Sequence, residues 1–202
     1  MLGPTGRASW TTVFGMAMNL AHRRICSSNR WAKAVEDELL PWVLADVDLG
    51  DNTLEIGPGY GATLRVLVDK TPRLTSVEID TPMAERLQRL YGDRARIING
   101  DATATGLPSD EFSSVVSFTM LHHVPTAEQQ DRLFAEAFRV LRPGGVFAGS
   151  DSVTSLWFRI LHFRDTCNTV SADTLPDRLR AAGFDRVEVE VRGGRLRWRA
   201  VK

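Results

Sequence analysis

Four short apolar runs in this chain of 202 residues end in side chains that could do chemistry. Thr53-Leu54-Glu55-Ile56 runs into Gly57-Pro58-Gly59-Tyr60-Gly61, and Thr75-Ser76-Val77 into Glu78-Ile79-Asp80. Ile97-Ile98-Asn99 runs into Gly100-Asp101-Ala102, and Val115-Val116-Ser117-Phe118 into Thr119-Met120-Leu121-His122-His123. Glycines after an apolar run let the backbone turn sharply and approach a ligand closely. An acid about 20 residues further on is placed to accept hydrogen bonds from both ribose hydroxyls and to repel a 2′-phosphate. Asp101 can accept from an adenine amine while the Ala102 N–H donates to a ring nitrogen. Glu55 is the odd member: an acid directly before the glycines repels a pyrophosphate and suits an ammonium or a sulfonium. His122 and His123 carry the one side chain whose ordinary pKa suits proton transfer near neutrality.

The elements around these residues must bring them to one place. The Asp51-Asn52 turn leads into strand one and the glycine loop, and a helix is expected over 62–70, ended by Pro72. Strand two is expected over 74–79. Thr81-Pro82 then reads as a helix start, a cap with proline in the first turn, and Met83, Leu87 and Leu90 form one helix face. Strand three spans 96–99. Strand four, 114–118, is nearly all apolar or small, as a central parallel strand should be. Thr126 with Gln129 forms a capping box for a helix buried through Leu133, Phe134, Ala137, Phe138 and Leu141, and Arg142-Pro143-Gly144-Gly145 turns into strand five, 146–150. Strands alternating with helices make a doubly wound α/β sheet, with ligands beyond the carboxyl ends of its strands. A helix over 175–182 ends at Gly183, and two alternating runs, 186–192 and 195–201, flank Gly193-Gly194 as a β-hairpin. Leu196, Trp198 and Ala200 face inward there. Arg195, Arg197 and Arg199 face solvent opposite Glu188 and Glu190, which explains them more simply than an RNA-binding patch.

Upstream, residues 18–47 are helical by spacing, with Pro41 forcing two pieces or a kink. Trp31 and Trp42 read as core. His22, Arg23, Arg24 and Cys26 read as a solvated face, or as a cover for a ligand pocket. The formal net charge is zero, so no global field draws the chain to nucleic acid or an anionic membrane. Cys26 and Cys167 are too few for a disulfide framework, which fits a reducing cytoplasm. No run spans a bilayer. The expected organisation is a loose tail over 1–15 and one domain over 16–202. That domain comprises a helical cap (16–47), a ligand-binding core (50–150) and an aromatic segment (151–172) suited to an acceptor site. Nothing in the sequence sets an oligomeric state. No Cys, His or carboxylate spacing reads as a metal site, since adjacent His122 and His123 on a helix could not both face one ion.

The set resembles a class I S-adenosylmethionine-dependent methyltransferase of the small-molecule type, similar to the methyltransferase domain 11 group. Leu54 to Gly61 resembles that family's first motif and Val77-Glu78-Ile79-Asp80 its second. Gly100-Asp101-Ala102 resembles its adenine motif, Leu121-His122-His123-Val124-Pro125 its segment after strand four, and Leu141 to Gly145 its turn before strand five. The match covers roughly 50–150 in order and spacing. It implies a Rossmann-like, doubly wound, seven-stranded sheet closed by the antiparallel hairpin, with S-adenosylmethionine as methyl donor and S-adenosylhomocysteine as product. By resemblance, Gly57 and Gly59 contact the methionine part through backbone, Gly61 belongs to the same cofactor-binding loop, and Glu55 orients the ammonium directly or through water. Glu78 binds the ribose, Ile79 packs on the adenine, and Asp101 and Ala102 read its edge. Phe118 and Thr119 pass under the sulfonium.

Methyl transfer needs alignment and exclusion of water more than a dedicated catalyst. A base helps a phenol, hydroxyl or thiol acceptor; His122 is the first candidate and His123 the second, with His162, Asp165 and Cys167 behind them. The place where nucleobase-amine methyltransferases carry Asn or Asp-Pro-Pro-aromatic reads Phe118-Thr119-Met120-Leu121 here. The expected acceptor is therefore a small, apolar or aromatic molecule carrying an O, C or S nucleophile, with no nucleic-acid partner and no membrane insertion. Two alternatives stay open. Gly57-x-Gly59-x-Gly61-Ala62 also fits the loose fingerprint of an NAD-dependent oxidoreductase, against which Glu55, Asp101 and the hairpin argue. A non-catalytic S-adenosylmethionine-binding regulatory module is the other.

Overall fold

The computed structural model describes residues 19–154, 160 and 165–202. Its centre is a seven-stranded sheet: β1 (Asn52–Ile56), β2 (Arg73–Glu78), β3 (Arg96–Asn99), β4 (Phe112–Phe118), β5 (Leu141–Ser152), β6 (Arg186–Arg192) and β7 (Arg195–Val201). The spatial order is β3-β2-β1-β4-β5-β7-β6. Strands β1 to β5 run parallel, with Glu55 beside Ser76 and Val116 in the ladder, and β7 pairs antiparallel with both β5 and β6. Because β1 and β4 are covered on both faces they carry no alternation: every residue of β1 is buried. The doubly wound sheet with its antiparallel closure is the fold expected from the sequence.

One face is covered by α6 (Ala127–Val140) and α7 (Leu175–Ala181). Phe134, Leu133, Leu179 and Phe184 pack there with Leu54, Val115, Phe147 and Trp198. Gly149 makes room for this core, because a Cβ on it would run into the Trp198 ring and the Ser117 carbonyl. Thr126 caps α6 by accepting from the Gln129 N–H at 3.2 Å. The other face is covered by α3 (Leu40–Val43), α4 (Leu64–Leu67) and α5 (Thr81–Tyr91). Leu39, Val43, Leu64, Leu67 and Leu87 pack there against Val116 and Phe118. In the hairpin Leu196, Trp198 and Ala200 are buried, and Arg197 and Arg199 pair with Glu190 and Glu188.

Local departures from the expected elements have physical causes. The cap of α5 is Asp80, whose Oδ1 accepts from the Met83 N–H at 2.9 Å, so Thr81 is already helical. α4 is a single turn, because the glycine loop unwinds its start. Beyond α1 (Leu20–Cys26) and α2 (Asn29–Ala34), Val35–Leu39 forms a π-helical turn in which the Leu40 N–H bonds back to Val35. That wider step absorbs Pro41, which has no N–H to give. β5 starts at Leu141 and extends to Ser152, two residues beyond the expected end, which places Asp151 inside a strand. The tail over 1–15 and most of the aromatic stretch over 155–164, His162 included, lie outside the described residues. No helix among the described residues is long and apolar enough to cross a membrane.

Candidate functional site

The carboxyl ends of β1, β2, β4 and β5 open onto two adjoining cavities. The larger, about 410 Å³, is lined by Glu78, Ile79, Asp101 and Ala102 from β2, β3 and their loops, with Val124 and Leu133 opposite. The smaller, about 190 Å³, is lined by His22, Trp31, Gly59, Phe118, Thr119 and His122. Gly57, Met120 and His123 line both, so they form the wall between them.

The glycine loop is built by three left-handed residues with different surroundings. Gly57 (φ +67°) holds the Met120 side chain where its own Cβ would be, whereas a Cβ on Gly59 (φ +54°) would stand in open space. Gly61 (φ +82°) lines neither cavity and lies against Leu87 and Tyr91, so its part is the turn and the packing of α5. Glu78 accepts from the Gly59 N–H through Oε2 and from the Asp80 N–H through Oε1, each at 3.0 Å. Burial raises its pKa and these backbone donors oppose the rise. Ile79 is half exposed over the larger cavity, and Asp101 Oδ1 accepts from the Thr103 N–H at 2.8 Å.

Glu55 stands behind the loop instead of in it. Its carboxylate is fully buried, accepts from the Thr63 and Ser76 hydroxyls, and lines neither cavity. Burial pushes its pKa up to about 7, against the pull of those two hydroxyls. The geometry therefore makes it a brace between β1, β2 and the start of α4, with no direct approach to a ligand. Thr119 has φ +50°, rare for a β-branched residue, and its N–H donates to the Ser150 carbonyl at 2.7 Å. That left-handed step swings the chain off β4 over the wall and into the 3₁₀ turn Leu121–His123.

The 3₁₀ turn overturns the argument that His122 and His123 cannot face one point, which presumed an α-helix. Their ring centroids are 4.1 Å apart, and His22 stacks on His123 at 5.2 Å. His122 Nδ1 is 2.6 Å from Asp151 Oδ1, and Asp151 Oδ2 accepts from the His122 N–H at 2.9 Å. His22 Nδ1 is 3.1 Å from Asp165 Oδ2. Burial lowers the His22 pKa and outweighs the Asp165 hydrogen bond. Cys26 also lines the smaller cavity, its thiol pushed up to about 11 by burial. So His22 and Cys26 belong to a pocket, while Arg23 and Arg24 are on the solvated face. Asp151 escaped the sequence reading, although an acid at the end of strand five obeys the same edge rule that located Glu78 and Asp101.

Residues 54–149 match the model of the methyltransferase domain family. A stretch of 72 residues is 40% identical to ribosomal RNA small subunit methyltransferase A of Cupriavidus pinatubonensis, covering 35% of this chain and 26% of that protein. The same-named protein of Bifidobacterium adolescentis is 35% identical over 91 residues, 40% of this chain and 29% of the relative. The matched stretch thus spans under a third of these relatives. Among solved structures, the chain is similar to a complex of the Trm112 methyltransferase activator of Haloferax volcanii with a methyltransferase (TM-score 0.69, 17% identity, covering 92% of this chain and 98% of that one). A methyltransferase from Archaeoglobus fulgidus gives TM-score 0.69 at 18% identity, covering 87% and 95%. PigF with S-adenosylhomocysteine gives 0.64 at 23%, covering 85% and 56%. At these identities the likeness is one of fold. The expectation of a small-molecule acceptor with no nucleic-acid partner is corrected by these names: the relatives are ribosomal RNA methyltransferases, and one fold neighbour is held by a protein activator.

Proposed function

We propose that this chain, which carries a class I S-adenosylmethionine-dependent methyltransferase domain, methylates an oxygen or sulfur nucleophile delivered to the histidine-lined cavity. The observation that carries the reading is the shared wall. A nucleotide-type cavity (Glu78, Ile79, Asp101, Ala102) and a histidine-lined cavity meet at Gly57, Met120 and His123. The residues fit the cofactor. The larger cavity has room for an adenosine, Glu78 offers a carboxylate to hydroxyls, and the open space over Gly59 lets backbone approach a ligand. S-Adenosylmethionine supplies an electrophilic sulfonium methyl when bound.

The rest falls to the chain's own groups. Glu78 and Asp101 hold the adenosine part. Glu55 keeps the loop in shape from behind. Trp31 and Phe118 exclude water from the smaller cavity. His122, held by Asp151, receives the acceptor's proton, with His123 beside it. Phe118-Thr119-Met120-Leu121 offers no side-chain amide or carboxylate to a nucleobase amine, which favours a hydroxyl or thiol, including one carried on RNA.

The test is transfer of labelled methyl to small-subunit ribosomal RNA and, in parallel, to a panel of phenols and thiols. Label appearing as O- or S-methyl on either carrier supports the reading. Label confined to a nucleobase amine, or cofactor binding without transfer to any acceptor, overturns it.

A further inference from the structure

We propose that His22, His122 and His123 form a site for one divalent transition-metal ion, zinc by its donor set, on the wall of the smaller cavity. Among the described residues this is the one group of His, Cys, Asp and Glu side chains that converges closely enough, with one ligand atom from each within 4.8 Å of the others. All three donors are imidazole nitrogens, the set that suits zinc and its neighbours better than magnesium or calcium. A tetrahedral zinc with nitrogens at about 2.0–2.1 Å places them roughly 3.3–3.4 Å apart. The present spread closes to that by an inward shift of about 1 Å, within reach of ring rotation.

The support behind the rings is more specific than their proximity. Metal-bound histidines generally give their second nitrogen to a carboxylate, which fixes tautomer and orientation. Two of the three histidines have that arrangement: Nδ1 of His122 on Asp151 at 2.6 Å, and Nδ1 of His22 on Asp165 at 3.1 Å. With Nδ1 of both rings on a carboxylate, Nε2 is the nitrogen each would offer to the ion. The carboxylates are themselves anchored. Asp151 accepts from the backbone N–H groups of His122 (2.9 Å) and Ser152 (2.6 Å). Asp165 accepts from the Asn19 N–H at 2.7 Å and its side-chain amide at 3.1 Å. Two buried carboxylates behind the imidazoles, with no Lys or Arg paired to them among the described residues, suit a divalent cation.

Three protein ligands leave an open position facing the cavity, the pattern of a catalytic ion rather than a structural one. The role of the ion in methylation rests on the function proposed above; its binding does not. With the ion bound, an acceptor hydroxyl or thiol entering that position would give its proton to water and bind as the anion, and the ion would take over the role that His122 has as base in the metal-free protein.

The test titrates the metal-stripped full chain with Co²⁺ and then Zn²⁺, reading visible absorption and heat. The expected result is one equivalent of Co²⁺ with the bands of a four- or five-coordinate nitrogen site, displaced by Zn²⁺. Asp165→Asn, which keeps every ligand, is expected to weaken binding about 10–100-fold. His22→Gln and His123→Gln, confirmed as folded by circular dichroism, are expected to abolish the Co²⁺ bands. Absence of saturable binding at one equivalent, or binding that survives both histidine substitutions, overturns the site. S-Adenosylmethionine binding by the metal-free wild type is measured separately: its loss counts against the proposed function and leaves the metal result standing.

Discussion

Asp151, at the end of β5, clasps His122 from both sides: its Oδ1 lies 2.6 Å from the ring Nδ1, and its Oδ2 accepts from the backbone N–H at 2.9 Å. One carboxylate thus sets both the position of the loop after β4 and the orientation of its imidazole. Asp151→Asn keeps the shape and removes the charge. The expected outcome is a loss of kcat of about 10²-fold or more, the usual worth of a positioned acid–base group, with cofactor affinity within a few-fold of wild type. Initial rates together with calorimetric titration check the split.

Glu78 faces the cavity while bracing Gly59, so its removal should be felt as cofactor affinity. Hydrogen bonds to a charged group contribute about 1.5–3 kcal/mol, so Glu78→Ala is expected to weaken S-adenosylmethionine about 10- to 150-fold. Calorimetry on wild type and variant reads this directly. Equal affinity would remove Glu78 from the site.

The two loop glycines should separate stability from binding. Gly57→Ala places a methyl group on Met120 and strains a left-handed residue, so both the melting temperature and cofactor binding should fall. Gly59→Ala carries only the backbone strain, roughly 1–2 kcal/mol, because its Cβ enters open space. It should fold and bind the cofactor poorly, the methyl occupying room the ligand needs. Thermal melts paired with cofactor titrations distinguish the two.

Glu55 predicts a pH dependence of stability. Its pKa rises from 4.5 to about 7 on folding, mainly through burial. Between those values the folded state holds a proton that the unfolded state has lost. The contribution of Glu55 is therefore fully present below about 4.5 and is lost as pH rises towards 7, where a buried carboxylate must ionise. At 1.36 kcal/mol per unit the whole effect is about 3 kcal/mol. Urea denaturation of wild type and Glu55→Gln from pH 5 to 8 checks it: the variant should flatten the slope. Identical slopes would rule Glu55 out as its source.

The strands and most of the helices were legible because their signals are local. A run nearly all apolar or small marked β4 as central, alternation with Gly193-Gly194 marked the hairpin, and Thr126 announced its helix. Errors fell where neighbours decide. The cap of α5 moved from Thr81 to Asp80 because Asp80 reaches the Met83 N–H. The π-helical turn before Pro41 is a tertiary accommodation with no sequence mark of its own.

The candidate site divides in the same way. The order of short motifs along the chain was enough to put Gly57, Gly59, Glu78, Asp101 and Ala102 at one sheet edge, because the parallel ladder brings all strand ends together. Chain order could not show that Glu55 turns away from the cavities, since the two faces of a buried strand look alike in sequence. Nor could it show that His22 stacks on His123, about a hundred positions later, or that Asp151 and Asp165 stand behind two of the three imidazoles. Those contacts depend on a left-handed Thr119, a 3₁₀ turn in place of a helix, and the packing of α1 over the sheet edge. Local chemistry along the chain chose the cavity lined by Glu78 and Asp101; convergence of distant segments chose the histidine-lined one.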